Sequence, residues 1–392
     1  MRASRQHIVY YTAFATDFAY FAFLFATTRL LAETGASLWH LGIFGASTSV
    51  SYALSGPLAG AVSDRWGRRR LILTGVIATI LVLAVCSWWT SRKLYYVMAA
   101  AGGVAVALIY PPMIAWLTEE AHDTSKRLYR FCLAWNFGVI SAQTTGGWLF
   151  SVHPSLPMIV AIIPMLGVAV LILSWRANRG PKTEAIPPAE SRHHHDSPRA
   201  MTFVYMAWLS NVAGAFAFSL IVYLFPYLAH ESGISPPVHG AMLAFNRLVV
   251  VATYSVMYRF PFWRYRLWTA LASQACAMAG LLLLSFGGSV PVLAAGLGLA
   301  ALMLGYNYFA SIYYSTIAFG SQQKGMASGV HEASLALGGG AGALGGGLIG
   351  WVHGSRTPYK LCVVVLFGFV LIELVIYLRS RKGWPRSPAE GS

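Results

Sequence analysis

Charge is what this sequence has least of. Only 10% of its 392 residues are Asp, Glu, Lys or Arg, while 57% are hydrophobic. Soluble domains carry about 25% charged residues, so an ordinary water-soluble globule is excluded. Cysteine is also scarce: Cys86, Cys132, Cys276 and Cys362 are all there are, each inside an apolar run. That placement fits small packing residues and predicts neither a disulfide framework nor a metal site. A glycine loop that cradles phosphate needs a lysine followed by Ser or Thr, and Lys324 is followed by Gly325. With no nucleophile–base pair and no metal-ligand spacing either, the sequence predicts no enzyme and no cofactor. The start, Met1 to His7, is short and basic and runs straight into a full-length apolar span without a small-residue cleavage site. The first span is therefore expected to serve as its own insertion signal.

What fills the chain is long apolar runs. The pattern predicts spans at 8–31, 38–62, 71–90, 94–118, 128–150, 156–176, 201–229, 238–260, 267–286, 290–319, 326–350 and 359–379. A hydrocarbon core of about 30 Å needs about 20 apolar residues per helix, so twelve crossings use about 240 residues and leave short loops. The expectation is an all-α integral membrane protein with 12 transmembrane helices.

The 28 basic residues outnumber the 13 acidic ones, for a net charge of +15. In a soluble chain that would point to nucleic acid; here its distribution explains it. All but Arg29, Arg92, Lys93, Arg247, Arg356 and Lys360 fall in segments on one side of the predicted topology. By the positive-inside rule that side is the cytoplasm, both termini lie there, and the partner is a lipid bilayer. A bacterial inner (plasma) membrane and a monomer are expected.

The densest of these segments joins the second and third spans: Gly60-Ala-Val-Ser-Asp-Arg-Trp-Gly-Arg-Arg-Arg70. Gly67 supplies a position that takes positive φ at no steric cost. Asp64, where one helix is expected to end and the next to begin, can pair with an arginine or cap an amide. Arg65, Arg68, Arg69 and Arg70 crowd four charges beside the bilayer. The pattern Gly-x-x-x-Asp-Arg-x-Gly-Arg-Arg after a second apolar segment resembles the signature loop of the major facilitator superfamily, with Gly60, Asp64, Arg65, Gly67, Arg68 and Arg69 at its defining positions. The resemblance implies two pseudo-symmetric six-helix bundles that rock about a midplane site, with this loop as a conformational switch.

An internal repeat agrees. Glu33-Thr-Gly-Ala-Ser37, followed by Gly42, recurs as Glu231-Ser-Gly-Ile-Ser235, followed by Gly240. In the fifth and eleventh spans Gly138, Ala142, Gly146 and Gly147 recur as Gly338, Gly342, Gly346 and Gly347. Two copies of a six-helix unit follow, related by an axis along the membrane normal. The expected organisation is an amino-terminal bundle at 1–176, a Pro-rich flexible linker at 177–200, a carboxy-terminal bundle at 201–380 and a tail at 381–392. His193–His195 in the linker reads as a solvated run. The signature has no second copy: Arg259-Phe-Pro-Phe-Trp-Arg-Tyr-Arg266 keeps the charge without the Asp or Gly. The small residues read equally as tight packing or as a sliding seam, since they let helices approach closely in lipid.

Charges inside spans point to function. Asp17 lies 10 residues from His7 and 12 from Arg29; Arg247 lies 10 from Pro237 and 12 from Arg259. At about 1.5 Å per residue both sit near the midplane, where a lone charge costs about 2.5–3.5 kcal/mol even on insertion scales. Either the two pair with each other, or Asp17 carries a proton and Arg247 binds an anionic group of the substrate with its planar fork. His331 and Glu332 open the eleventh span as a gate, a proton relay or a satisfied polar pair. Glu373, on the last span, reads as structural. The expected cavity residues are Tyr20, Tyr52, Tyr110, Gln143, Trp208, Asn211, Asn246, Arg247, Tyr306, Asn307 and Tyr313, a mixture that suits sugars, nucleosides or ring-bearing acids. In the resembling fold the first, fourth, seventh and tenth helices line the path. Pro111 and Pro112 predict a kink in the fourth helix.

The functional expectation is a secondary transporter of a small organic solute, coupled to protons as a symporter. Uniport and efflux antiport stay open, as do a membrane-embedded enzyme and a transport-dead sensor. Drug–proton antiporters of the resembling family carry an arginine inside the fourth span and a glycine–proline pattern in the fifth. Neither stands here: Leu94 to Thr118 has no arginine, and the other place reads Gln143-Thr-Thr-Gly-Gly147.

Overall fold

The computed structural model describes residues 5–89, 91–118, 124–175, 198–318 and 324–382. Twelve long helices account for nearly all of them. The first six are α1 (Arg5–Glu33), α2 (Leu38–Trp66), α3 (Arg68–Trp88), α4 (Arg92–Thr118), α5 (Thr124–Val152) and α6 (Leu156–Ser174). The second six are α7 (Pro198–Glu231), α8 (Pro236–Arg259), α9 (Leu267–Phe286), α10 (Val290–Ala318), α11 (Lys324–His353) and α12 (Thr357–Arg381). Each expected span is present, most of them longer than its apolar run by a turn of polar or aromatic residues. Ten of the helices are long and apolar enough to cross a membrane; α2 and α5 fall short in composition. Those two carry serine, threonine and basic residues and bury one face against the other half of the molecule, so less of their surface meets lipid. Of the expected linker and tail, residues 176–197, with the histidine run, and 383–392 lie outside the described residues; 198–200 already form the first turn of α7.

The helices form two bundles of six with matching contacts. In the first, α1 packs on α5 and α6, α2 on α4, and α3 on α4 and α6; in the second, α7 packs on α11 and α12, α8 on α10, and α9 on α10 and α12. The match extends to single hydrogen bonds. In the turn after α1, Thr34, Gly35 and Ala36 donate to the carbonyls of Leu30, Ala32 and Leu31; after α7, Ser232, Gly233 and Ile234 donate to Leu228, His230 and Ala229. Gly35 and Gly233 take φ of 74° and 69°, the left-handed cap that ends a helix with its last carbonyls satisfied.

The signature segment departs from the expected loop. Helix α2 runs through Gly60, Asp64 and Arg65 to Trp66, and α3 starts at Arg68. The whole reversal falls on Gly67, at φ 89° and ψ 130°, a conformation closed to residues with a Cβ. Its N–H closes α2 on Ser63 and its carbonyl opens α3 by accepting from Arg70 and Leu71. Asp64 lies 3.7 Å from Arg68, and Arg69 donates to the Leu173 carbonyl at the end of α6.

Two features concern prolines. Helix α4 runs through Pro111 and Pro112, the pair expected to bend it, and continues to Thr118. In α7 a π-helical turn at Leu220–Leu224 interrupts the α-helix. Pro226 follows it, and its missing N–H leaves the Val222 carbonyl without the usual partner, so the ladder widens ahead of it.

The small residues make close contacts of two kinds, at different places. Gly138 meets the Phe14 carbonyl and Gly338 the Val212 carbonyl, each inside its own bundle. Between the bundles, Gly42 of α2 lies against Ala343 and Gly347 of α11, and Gly240 of α8 against Gln143 and Gly147 of α5. These two seams are copies of each other. Both sit toward the end of the molecule remote from the arginine segment.

Lipid is met by leucine, isoleucine, valine and aromatic side chains. Trp88, Trp148 and Trp351 are exposed at one end and Trp66 and Trp268 at the other, as in interfacial belts.

Candidate functional site

Eight helices, α1, α2, α4, α5, α7, α8, α10 and α11, enclose a cavity of about 250 Å³ between the bundles; α3, α6, α9 and α12 contribute nothing to its wall. The helices of the resembling path are among the eight. Of the expected cavity residues, Tyr20, Tyr52, Tyr110, Asn211, Arg247 and Asn307 line it, together with Asp17 and Glu332.

Asp17 and Arg247 face this space from opposite bundles, 6% and 5% exposed. They do not form an ion pair. Asp17 accepts a hydrogen bond from the Tyr110 hydroxyl. The Arg247 guanidinium lies over Phe218, 4.3 Å from the ring centroid, and 5.7 Å from that of Phe21. Its Nε and Nη2 have no hydrogen-bond partner. These two nitrogens form one edge of the guanidinium, the fork that matches a carboxylate or phosphate. The rings fix the plane of the cation and leave that edge unused. A buried guanidinium edge with no hydrogen-bond partner is costly.

The carboxylate of Glu332, on α11, accepts from the Tyr52 hydroxyl of α2 at 2.8 Å. This bond crosses between the bundles. So do the Tyr129–Ser255 hydrogen bond at 2.8 Å and the parallel stack of Tyr129 on Tyr258, at 4.3 Å. All three lie on the arginine-segment side of the cavity and are made by side chains. On the other side the bundles touch through backbone at the glycine seams, and Arg29 of α1 donates to the Ile234 carbonyl at 2.9 Å.

Other expected residues sit elsewhere. His331 bonds Ser311 at 2.8 Å, behind the Asn211 wall. Asn246 donates to the Leu297 carbonyl, Trp208 to Ser315, and Tyr306 shares a hydrogen bond with Thr269, all within the second bundle. Tyr313 packs on Trp263 and under Arg264. Gln143 lines a separate, smaller hollow by Phe25 and Thr28 in the α5–α8 seam. Among the lining residues that sequence reasoning missed, six are aromatic: Phe21, Trp135, Phe218, Tyr223, Tyr254 and Tyr308. On a sequence they are indistinguishable from core packing. Among the described residues no cluster of His, Cys, Asp and Glu is arranged to hold a metal.

The chain is similar to several proteins named as transporters or multidrug-resistance proteins. It is 26% identical over 240 residues to the uncharacterized MFS-type transporter YqjV of Bacillus subtilis (strain 168), covering 58% of each chain. It is 24% identical over 224 residues to Multidrug resistance protein 2 of the same organism, covering 54% of this chain and 55% of that one. It thus spans somewhat over half the length of these relatives. Its fold matches a crystal structure of the nucleoside transporter NupG with a TM-score of 0.72 at 11% identity, over 96% of this chain and 99% of that one. The family model described as Major Facilitator Superfamily matches residues 9–253. Two matching bundles, a cavity between them and a family match over more than half its length agree: this multi-pass membrane protein belongs to the Major Facilitator Superfamily of transporters.

Proposed function

We propose that this transporter moves a small polar or anionic metabolite, such as an organic acid, nucleoside or sugar, in symport with protons by alternating access. The observation that carries this reading is the pair Asp17 and Arg247, one from each bundle, facing one cavity without pairing with each other. The empty fork of Arg247 is suited to an anionic group. Asp17 is a titratable group at the same level, bonded to a neutral tyrosine, so a proton can replace a cation as its partner. Rocking one bundle on the other would exchange the glycine seams on one side for the side-chain contacts on the other. In this reading the arginine loop and both termini face the cytoplasm of a plasma membrane; the excess of basic residues on that side supports the orientation. The protein acts as a monomer, with no cofactor.

Efflux antiport is the second reading, favoured by the multidrug-resistance relative. A thermal-shift screen against metabolites and drugs identifies ligands, since binding raises stability by mass action. Proteoliposomes then separate the classes: a transporter accumulates or equilibrates label, an embedded enzyme alters it and a sensor only binds it. Symport is driven by a proton gradient acid on the side the solute leaves, antiport by the opposite one. The Asp17→Asn variant is expected to keep solute exchange at equal pH and to lose pH-driven accumulation. Unchanged pH-driven uptake in that variant removes Asp17 as the proton carrier.

A further inference from the structure

Helix α12 lines no part of the cavity, yet it carries a carboxyl group with 0% exposure, Glu373. Glu373 lies 8 residues from Arg381, or about 12 Å at the helical rise of about 1.5 Å per residue, well inside the apolar layer. Its partners are Ser210 of α7, 2.7 Å from Oε1, and Gln274 of α9, which donates to Oε2 at 2.8 Å. No cation accompanies it among the described residues. Among its described side chains, helix α11, which also packs on α12, sends it no charged group; the titratable side chain whose field it meets is Tyr306 of α10, itself hydrogen-bonded to Thr269.

The protons around Glu373 can be counted. Ser210 Oγ also lies 2.9 Å from the Met206 carbonyl of its own helix. A serine hydroxyl has one hydrogen to give. An ionised Glu373 would compete with Met206 for it, and its charge would stand unpaired in the core. A neutral Glu373 satisfies every contact at once: its O–H donates to Ser210 Oγ, Ser210 donates to Met206, and Gln274 donates to the remaining oxygen. The same Ser210 accepts at its carbonyl from Asn307 Nδ2, at 2.7 Å, and Asn307 and the adjacent Asn211 line the cavity. Glu373 is therefore one residue of α7 away from the cavity wall.

We propose that Glu373 is a proton-binding site separate from Asp17, occupied in this state, whose loss of a proton to water disturbs the cavity wall through Ser210 and Asn307. The site stands whether or not uptake is proton-driven, and the spectroscopic test keeps the two apart. Full-length protein with Asp17→Asn, in lipid nanodiscs, is examined by infrared spectroscopy across pH. A carboxylic-acid C=O band is expected at neutral pH, lost on adding Glu373→Gln and shifted but retained with Ser210→Ala. The thermal midpoint of the parent is expected to fall relative to Glu373→Gln as pH rises, because deprotonation leaves an unpaired buried charge. A neutral-pH spectrum unchanged by Glu373→Gln overturns the proposal. Should that variant fail to fold, a band unmoved by Ser210→Ala overturns it equally.

Discussion

Replacing Arg247 by alanine is expected to lower solute affinity by at least tenfold while leaving the thermal midpoint unchanged or raised. The two effects have opposite signs for one reason. The guanidinium is 5% exposed, and its Nε and Nη2 have no partner. A buried cation in that condition destabilises the empty protein, so its removal relieves a cost. The contact with Phe218 offsets part of it, about 0.5–2 kcal/mol for a cation over a ring. Affinity moves the other way, because hydrogen bonds to a charged group are worth about 1.5–3 kcal/mol and a bidentate fork makes two. Arg247→Lys keeps the charge and loses the planar fork, so it should fall between. Binding of the solute found by thermal shift checks the first effect and the midpoint of the ligand-free protein the second. A midpoint that drops by several degrees with affinity intact would make Arg247 a structural residue.

A methyl group at Gly147 or Gly42 is expected to open the seam side of the molecule. A Cβ on Gly147 would lie 2.5 Å from the Pro236 carbonyl oxygen and 2.9 Å from Pro237 Cα; one on Gly42 would lie 2.7 Å from the Ala343 carbonyl oxygen and 3.0 Å from Gly347 Cα. All four neighbours are backbone, so no side chain can swing aside. Overpacking of this kind costs roughly 1–3 kcal/mol, and it acts only on the state in which the seams are closed. The equilibrium should shift by roughly 5- to 150-fold toward the state open on that side. A single cysteine at Leu24, in the cavity wall, reports the shift: an impermeant thiol reagent added on the seam side should label it faster in Gly147→Ala. Gly345→Ala is the control. It changes the same type of residue on α11 but meets nothing within 4 Å, so labelling should not change. Equal rates in all three would mean that the seams do not gate the cavity.

The frame was legible before any coordinates. Apolar runs located all twelve helices, and the repeated Glu-x-Gly-x-Ser segments marked turns that prove hydrogen bond for hydrogen bond alike. Composition could not show that Gly67 alone makes the reversal, because Asp64 and Arg65 look like loop residues yet extend α2 past the apolar run. Asp17, Arg247, Tyr52 and Asn307 were legible as cavity-facing residues because polar groups in a membrane span have few other reasons to be there. The failures share a cause. Trp208, Asn246 and Tyr306 found partners within their own bundle, and no local pattern announces a partner from another helix. The aromatic wall was hidden for the converse reason, since rings facing a cavity and rings facing a core have the same sequence. Glu373 needed both kinds of information: its helix is peripheral, and only the contacts with Ser210 and Gln274 set it apart from an ordinary buried polar residue.

The central claim is that one cavity between two bundles opens alternately to the two sides. Distances between spin labels test it most directly, in a background with the native cysteines replaced. One pair, Thr34→Cys with Ser232→Cys, reads the seam end; the other, Trp66→Cys with Phe260→Cys, reads the arginine-segment end. All four positions are exposed. Across pH and solute conditions the two distances should change in opposite directions, one lengthening as the other shortens. Distances that lengthen together, or that stay fixed while solute is exchanged, would contradict the account.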